Sequence, residues 1–273
     1  MEPHPVLFTP RTPRVVAARR LQRRRDRDTT GRFLAEGPQA VREALDRPDL
    51  VTELFGTPAA LDRYANLAAR AVDAGVPVSP VTDEALAALA ETVAPQGLVA
   101  VCRHLDVPLA AALAPAGTGP RLVAVLAGIR DPGNAGTVLR TADAAGAGAV
   151  VFAGDTVDPY NGKAVRASAG SLFHVDVVRA GDPYPVVDAL RAAGLRVLAA
   201  TGHGDTDLDD LADAGALAAP TAWLLGSEAH GLPAELAAVA DARVRVPLHG
   251  RAESLNLAAA AAVCLYASAR ALR

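Results

Sequence analysis

Val244-Arg245-Val246-Pro247-Leu248-His249-Gly250-Arg251-Ala252-Glu253-Ser254-Leu255-Asn256-Leu257 runs from a short β-branched strand, through Pro247 and a glycine-containing loop, into an alanine-rich helix predicted over residues 255–271. Ser254-Leu255-Asn256 opens that helix. Polar side chains and free backbone N–H groups converge at such a helix N-terminus, which carries partial positive charge. The loop suits gripping a small ligand by its edges. Two other loops, one carrying Asn134 with Arg140 and one carrying Gly226 with Glu228, have the polar content to share its pocket.

Upstream of this stretch, apolar strands alternate with helices. Strands are predicted at residues 122–127, 149–153, 174–178, 196–200, 221–225 and 243–246, and helices at 135–146, 162–169, 185–194 and 233–239. Interleaving of this kind predicts a mostly parallel sheet covered on both faces. Ligands of such sheets bind beyond the carboxyl ends of the strands, and all three polar clusters fall there. Residues 105–120 contain Pro108, Pro115, Gly117, Gly119 and Pro120 among alanines, the turn-former density of a linker. Residues 33–104 form a small α/β pattern, with strands at 33–37, 51–55, 76–78 and 98–103 and helices at 38–45, 58–74 and 82–89. The predicted organisation is therefore a basic arm (1–32), a small α/β domain (33–104), a linker (105–120) and a larger α/β domain (121–273).

The net charge of −3 hides an asymmetry, because residues 1–32 hold nine arginines against Glu2, Asp26 and Asp28 and so carry +6. Residues 1–12 show no periodicity and read as a tail, either ordered on contact or loose. From Pro13 to Arg27 the pattern is a basic helix with Val15, Ala18, Leu21 and Gln22 on one face. Clustered arginines predict phosphate contacts, with a solvated helix face as the alternative. The longest apolar runs, residues 122–129 and 255–262, fall short of the ~20 residues needed to cross a bilayer, so no membrane partner is expected. Arginines also occupy the place of a signal-peptide core. Cys102 and Cys264, far apart in apolar surroundings, read as buried thiols of a cytoplasmic protein.

Several familiar chemistries lack their residues. Gly146-Ala147-Gly148 precedes a strand and lacks a third glycine; Gly202-His203-Gly204 follows one but lacks the same glycine. There is no Walker A sequence and no G-x-S-x-G elbow. The histidines, among them His174, His203, His230 and His249, show no metal-ligand spacing, and no CxxC pair exists, so no metal is expected. Dinucleotide, P-loop, zinc and serine-hydrolase readings weaken together.

Three ordered blocks carry a resemblance. They are Asp131-Pro132-Gly133-Asn134-Ala135-Gly136-Thr137-Val138-Leu139-Arg140-Thr141-Ala142, then Leu224-Leu225-Gly226-Ser227-Glu228-Ala229-His230-Gly231-Leu232, then Val246-Pro247-Leu248-His249-Gly250 through Glu253-Ser254-Leu255-Asn256. Tyr160, Lys163 and Arg166-Ala167-Ser168-Ala169-Gly170-Ser171 fit the same pattern. Residues 122–270 thereby resemble the SpoU-type, TrmH-like RNA 2′-O-ribose methyltransferases of the SPOUT superfamily. The preceding domain, with Arg32-Phe33 and Glu36-Gly37 near its start, resembles more weakly the L30e-like substrate-binding domain that many members carry.

The resemblance implies a deep trefoil knot in the larger domain, a rare exception to unknotted topology. It further implies S-adenosyl-L-methionine as cofactor, a homodimer, and an RNA substrate, with ribosomal RNA favoured over transfer RNA by analogy. Gly226, Val246 and Leu255 would line the cofactor pocket, with Leu225, Leu248, Thr201 and Gly202 beside them. Leu248 stands where methionine is frequent in the family, and Leu257-Ala258 where Val-Ser is common; neither position supplies an essential group. The arm residues Arg19, Arg20, Arg23, Arg24 and Arg32 become candidate RNA contacts. A narrower version is an antibiotic-resistance methyltransferase, and a different class is a non-catalytic RNA-binding protein.

Asn134, Arg140, Glu228, Ser254 and Asn256 are the expected catalytic-site residues, and their presence argues against the non-catalytic version. Arg140 is expected to position ribose and phosphate and to stabilise charge, because a guanidinium with a pKa above ~12 is a poor base; the base itself stays open. The plain alternative is a surface arginine. Asn134 reads either as a helix N-cap, a position Asn favours, or as a site residue, and the two roles are compatible. Glu228 has Asn134, a ribose hydroxyl or Arg140 as prospective partners, or is a first-turn carboxylate near Pro233. Ser254 is expected to cap the last helix and organise a phosphate, and Asn256 to organise the arginine.

Overall fold

The computed structural model describes residues 6–113, 119 and 121–273. It divides into two compact units: Met1–Leu105 with Asp158–Phe173, and Asp106–Val157 with His174–Arg273.

The first unit is built on a four-stranded sheet of β1 (Arg32–Glu36), β2 (Val51–Gly56), β3 (Val78–Pro80) and β4 (Leu98–Arg103), in the order β1-β4-β2-β3. Strands β1 and β2 run antiparallel to β4, and β3 runs parallel to β2. The basic segment belongs to this unit, and the expected tail is ordered from Val6 on, its residues 1–5 lying outside the described residues. Phe8 exchanges backbone hydrogen bonds with Pro80 and Thr82 at 2.9 Å. Val15, Ala18 and Leu21 are buried, sharing a core with Phe55, Val81, Ala85, Leu86 and Leu89.

The single helix expected over residues 13–27 is instead two, Pro13–Arg20 and Arg24–Thr30. The break has a visible cause. Gln22 donates from Nε2 to the carbonyls of Ala88 and Leu89, each at 3.1 Å. Arg27 turns inward and donates to the carbonyls of Leu21 and Gln22 that the break leaves open. Likewise the helix expected over residues 58–74 divides at Tyr64, and the strand expected at 76–78 lies at Val78–Pro80.

Residues 158–173 join this unit, although the sequence placed them in the larger domain. Asp158 is the reason. Its carboxylate lies 2.7 Å from Arg27 Nε, with both side chains almost wholly buried, so the pair supplies the charge each needs away from water. The Tyr160 ring sits 4.8 Å from that of Phe33, and its hydroxyl accepts from Leu105 N at 2.7 Å.

The second unit is a seven-stranded sheet of β5 (Leu122–Ala127), β6 (Ala149–Ala153), β7 (Asp176–Ala180), β8 (Arg196–Ala200), β9 (Thr206–Asp207), β10 (Thr221–Leu225) and β11 (Ala242–Arg245). Its order is β7-β6-β5-β10-β8-β11-β9, and every ladder is parallel. Central β10 is buried at every residue, and its Trp223 donates from Nε1 to the buried Ser268 hydroxyl at 2.9 Å. One edge begins before the expected domain boundary: Val107 N donates to Val177 O at 3.0 Å, and Ala112 and Leu113 are buried in the core. Of the expected linker, Pro115, Gly117 and Pro120 lie outside the described residues. Strand β9 and the Leu208–Asp213 helix had no sequence expectation.

The chain proceeds from β5 outward through β6 and β7, then crosses to β8 on the far side of β10. Adjacent β5 and β10 thus flank the point where winding reverses, the usual place for a ligand in an open parallel sheet. Among the described residues no helix is long and apolar enough to cross a membrane. Both cysteines are buried, and burial pushes the Cys264 thiol up to about 12.

Candidate functional site

Three loops meet at the carboxyl ends of β5, β10 and β11. The loop after β5 enters the Pro132–Ala144 helix, whose N-cap is Asp131: its Oδ1 accepts from Asn134 N at 2.9 Å, with Pro132 at the first helical position. Asn134 is therefore not the cap, as one reading of the sequence had it. Its side chain is released for other bonds and turns toward the β10 loop.

That loop holds Gly226 in a fold that admits no side chain. Ser227 and Gly231 exchange backbone hydrogen bonds, and a Cβ on Gly226 would come within 2.2 Å of Gly231 and Leu232 backbone. Glu228 lies in the resulting turn, not in the first turn of the Ala234–Ala238 helix near Pro233. The third loop ends at Asn256, which caps the Leu257–Ala271 helix by accepting from Ala258 N and Ala259 N. The cap expected at Ser254 sits two residues later, and the helix starts at 257; Ser254 is exposed and makes no hydrogen bond among the described residues.

One hydrogen-bonded chain joins the three loops. Asn256 donates from Nδ2 to Asn134 Oδ1 at 3.2 Å, and Asn134 donates from Nδ2 to Glu228 Oε1 at 3.0 Å. Glu228 in turn accepts from the backbone N–H groups of Arg130 and Asp131, each at 3.3 Å. Partial burial would push the Glu228 carboxyl up. The bonds from Asn134 and from its own, Arg130 and Asp131 backbone outweigh it and hold the group below the usual carboxylate value.

Arg140 stands apart. It lies six residues after Asn134 on one helix, about 9 Å along the axis and on another face. It is exposed, and its side chain has neither hydrogen bond nor ion pair among the described residues. Of the partners expected for Glu228 it takes Asn134 and not Arg140, whereas Asn256, expected to organise the arginine, donates to Asn134 instead.

The expected cofactor residues cluster through strand register. Leu225, Ala200 and Val244 lie side by side across β10, β8 and β11. Gly226, Thr201 and Val246 accordingly follow at the ends of neighbouring strands, with Gly202 next to Thr201. Thr201 N donates to Val244 O at 2.9 Å. Nearby, a Cβ on Gly204 would meet Arg245 N at 2.6 Å, so the chain entering β9 lies close against the backbone of β11, with which it pairs. Leu248 and Leu255 are each 39% exposed, an apolar pair left uncovered on a polar loop. Among the described residues no group of metal-ligating side chains occurs. In the first unit Arg19, Arg20, Arg23, Arg24 and Arg32 are all exposed, whereas Arg27 is not.

Sequence reading missed Asp131 as the cap and the backbone N–H groups of Arg130 and Asp131 as partners of Glu228. The Asp131-Pro132 pair was the available signal for the cap. No local signal marks the backbone pair, since its partner is 97 residues away.

A parallel sheet whose winding reverses beneath a junction of three polar loops defines an α/β domain built to bind a small ligand. Residues 121–266 match the SpoU rRNA Methylase family, and residues 12–100 match the MRM3-like substrate binding domain. The chain belongs to the SpoU rRNA methylase family. It is 35% identical over 248 residues to the 23S rRNA (guanosine(2553)-2′-O)-methyltransferase RlmP of Bacillus subtilis (strain 168), covering 91% of this chain and 92% of the relative. The AdoMet-bound rRNA methyltransferase from Sinorhizobium meliloti superposes with a TM-score of 0.82 at 33% identity, over 98% of this chain and 97% of the other. The SpoU methyltransferase AviRb from Streptomyces viridochromogenes, in complex with the cofactor AdoMet, gives 0.79 at 31% identity over 95% and 98%.

Proposed function

We propose that this protein is an S-adenosylmethionine-dependent RNA methyltransferase that modifies a ribose 2′-hydroxyl, with ribosomal RNA as its substrate. The observation that carries the reading is the Asn256–Asn134–Glu228 chain at the sheet's reversal point, beside the uncovered Leu248 and Leu255. The names of the relatives support both the cofactor and the RNA class. In the same reading the larger domain carries the trefoil knot, and the smaller one is the L30e-like substrate-binding domain.

The residues fit the cofactor. Apolar Leu225, Val246, Leu248 and Leu255 suit an adenine and a thioether, and strand-end backbone groups suit polar edges. When bound, S-adenosylmethionine would supply an activated methyl group for the ribose oxygen.

The chain's own part is positioning. Glu228, held ionised by its donors, is a weak proton acceptor at neutral pH, so its role is to orient Asn134. Arg140, without a protein partner among the described residues, is available to hold the sugar-phosphate of the RNA. Exposed arginines of the first unit contact RNA phosphates. The enzyme acts as a homodimer in the cytoplasm, a second copy covering exposed Val263 and Tyr266 of the last helix.

The test is transfer of labelled methyl from S-adenosylmethionine to a 23S ribosomal RNA transcript, followed by mapping of ribose methylation. The wild type should label a single ribose. Arg140→Ala should lose transfer while keeping cofactor affinity in calorimetry. Absence of ribose label with the wild type sinks the reading, and full activity in Arg140→Ala removes that arginine from it.

A further inference from the structure

The first unit contains a cleft of about 340 Å³ that the methyl-transfer site does not use. Its volume is at the small end of the ~300–1,000 Å³ typical of ligand sites. Gly37, Ala40, Ala94, Val165 and Ala169 give it low, smooth walls. Glu36, Gln39, Thr92, Gln96 and Arg166 supply its polar groups.

All of these but Gln96 are held in place by hydrogen bonds. Arg166 Nη1 lies 3.2 Å from Glu36 Oε2 and 3.1 Å from Glu91 Oε2, so two carboxylates tether that end of the guanidinium. Glu36 is fixed in turn by the Thr92 hydroxyl and by Glu91 N. The Gln39 amide accepts from Arg42 and donates to Glu43, both at 2.7 Å. That leaves it one N–H and one lone pair. Gln96 makes no hydrogen bond among the described residues. Its Oε1 stands over Gly37, whose φ of +93° suits glycine and whose added Cβ would meet that oxygen at 3.1 Å.

Charge decides what class of group fits. Of the lining residues only Glu36 and Arg166 are charged, and they offset each other, so the cleft has no surplus positive charge to hold a phosphate. A neutral planar ring needs none. A guanidinium tethered at one end still has a planar face to stack, and side-chain amides that keep both a donor and an acceptor match the edges of a base. We infer that this cleft receives one unstacked nucleobase of the RNA substrate and contributes to its selection. The inference rests on the RNA substrate proposed above. Phosphates are left to the exposed arginines of the same unit, and the cleft takes a base.

The experiment uses a 23S ribosomal RNA transcript carrying 4-thiouridine in place of part of its uridine, crosslinked to the full-length protein and mapped by mass spectrometry. Binding is measured in parallel over a salt titration. Crosslinks are expected within residues 92–96 and 165–169. Ala94→Trp, which fills the cleft from an exposed wall, should remove them and weaken RNA binding about tenfold. The slope of affinity against salt should stay unchanged, because no phosphate contact is lost. Gln96→Ala, an exposed truncation that leaves the fold alone, should weaken binding about threefold. In methyl transfer both variants should raise KM for RNA and leave kcat and S-adenosylmethionine affinity as they were.

Crosslinks confined to the arginine segment, or wild-type affinity in both variants, overturn the inference. So does a fall in salt slope with Ala94→Trp, which would mean a phosphate site. Methyl transfer with an uncrosslinked cleft removes this inference alone. Cleft crosslinks without ribose methylation remove the enzymatic reading and keep the cleft as a base site.

Discussion

Each unit contains a polar network joining residues far apart in the chain, and the two networks differ in what they leave open. In the first unit Arg27 and Asp158, 131 residues apart, are dry. The guanidinium is spent on Asp158 and two carbonyls, and the carboxylate also accepts from Tyr160 N. In the second unit Asn256, Asn134 and Glu228 are linked across 122 residues, yet all three remain in reach of solvent. A saturated network fixes a fold and offers nothing to a ligand. An open one spends part of its bonding on holding loops together and keeps the remainder for a visitor.

The contrast breaks most visibly at Arg27. Arg27→Met strands the Asp158 charge in a dry site and should cost the first unit about 3–5 kcal/mol in urea unfolding. Adding Asp158→Leu should restore most of that, since a well-packed apolar pair often equals a buried ion pair. A double variant as unstable as the single one would mean that the pair does more than neutralise itself. Asn134→Ala should do the reverse. Methyl transfer should fall about a hundredfold, the scale of one lost preorganised donor, with a melting temperature within about 2 °C of wild type. A large loss of stability there would erase the distinction drawn between the two networks.

Asn256 sharpens it further, being both a cap and a link. Asn256→Ser keeps a capping oxygen and should leave stability within about 0.5 kcal/mol, while Asn256→Ala should lose about 1 kcal/mol. Both lose the donor to Asn134, so both should slow transfer alike. Activity that followed stability instead would reduce Asn256 to a cap. The smallest effect concerns pH. The Glu228 carboxyl is depressed in the folded state, so its contribution is present above its unfolded value of about 4.3 and fades as pH falls through the folded one. Wild type should therefore lose more melting temperature than Glu228→Gln between pH 5 and pH 3. Parallel curves would show that the bonds to Glu228 carry no net stabilisation.

Much of this fold was legible because it is locally encoded. Buried parallel strands such as residues 122–127, 149–153 and 221–225 read as short apolar runs and stand where expected. Strand β7 fell two residues late, since nothing in His174-Val175 marks where pairing with β6 begins. Helix starts depended on which polar residue caps. Asp131 outcompeted Asn134, and Asn256 outcompeted Ser254, because a cap is chosen by backbone geometry that neighbouring polar residues leave ambiguous. The site was legible as a set of loops but not as a set of bonds. Nothing local told that Glu228 would prefer Asn134 to Arg140. Nor did any local pattern separate Arg27 from the arginines around it: its burial depends on Asp158, which the sequence assigned elsewhere.

The chain's one tryptophan gives the two units different voices. Trp223 is wholly enclosed in β10, and only tyrosines serve as fluorophores in the first unit. Indole emission during denaturation thus tracks the sheet that carries the three loops, while circular dichroism registers both units together. If the halves come apart independently, the two signals will not coincide, and Arg27→Met will shift the dichroism curve while the indole curve stays where it was.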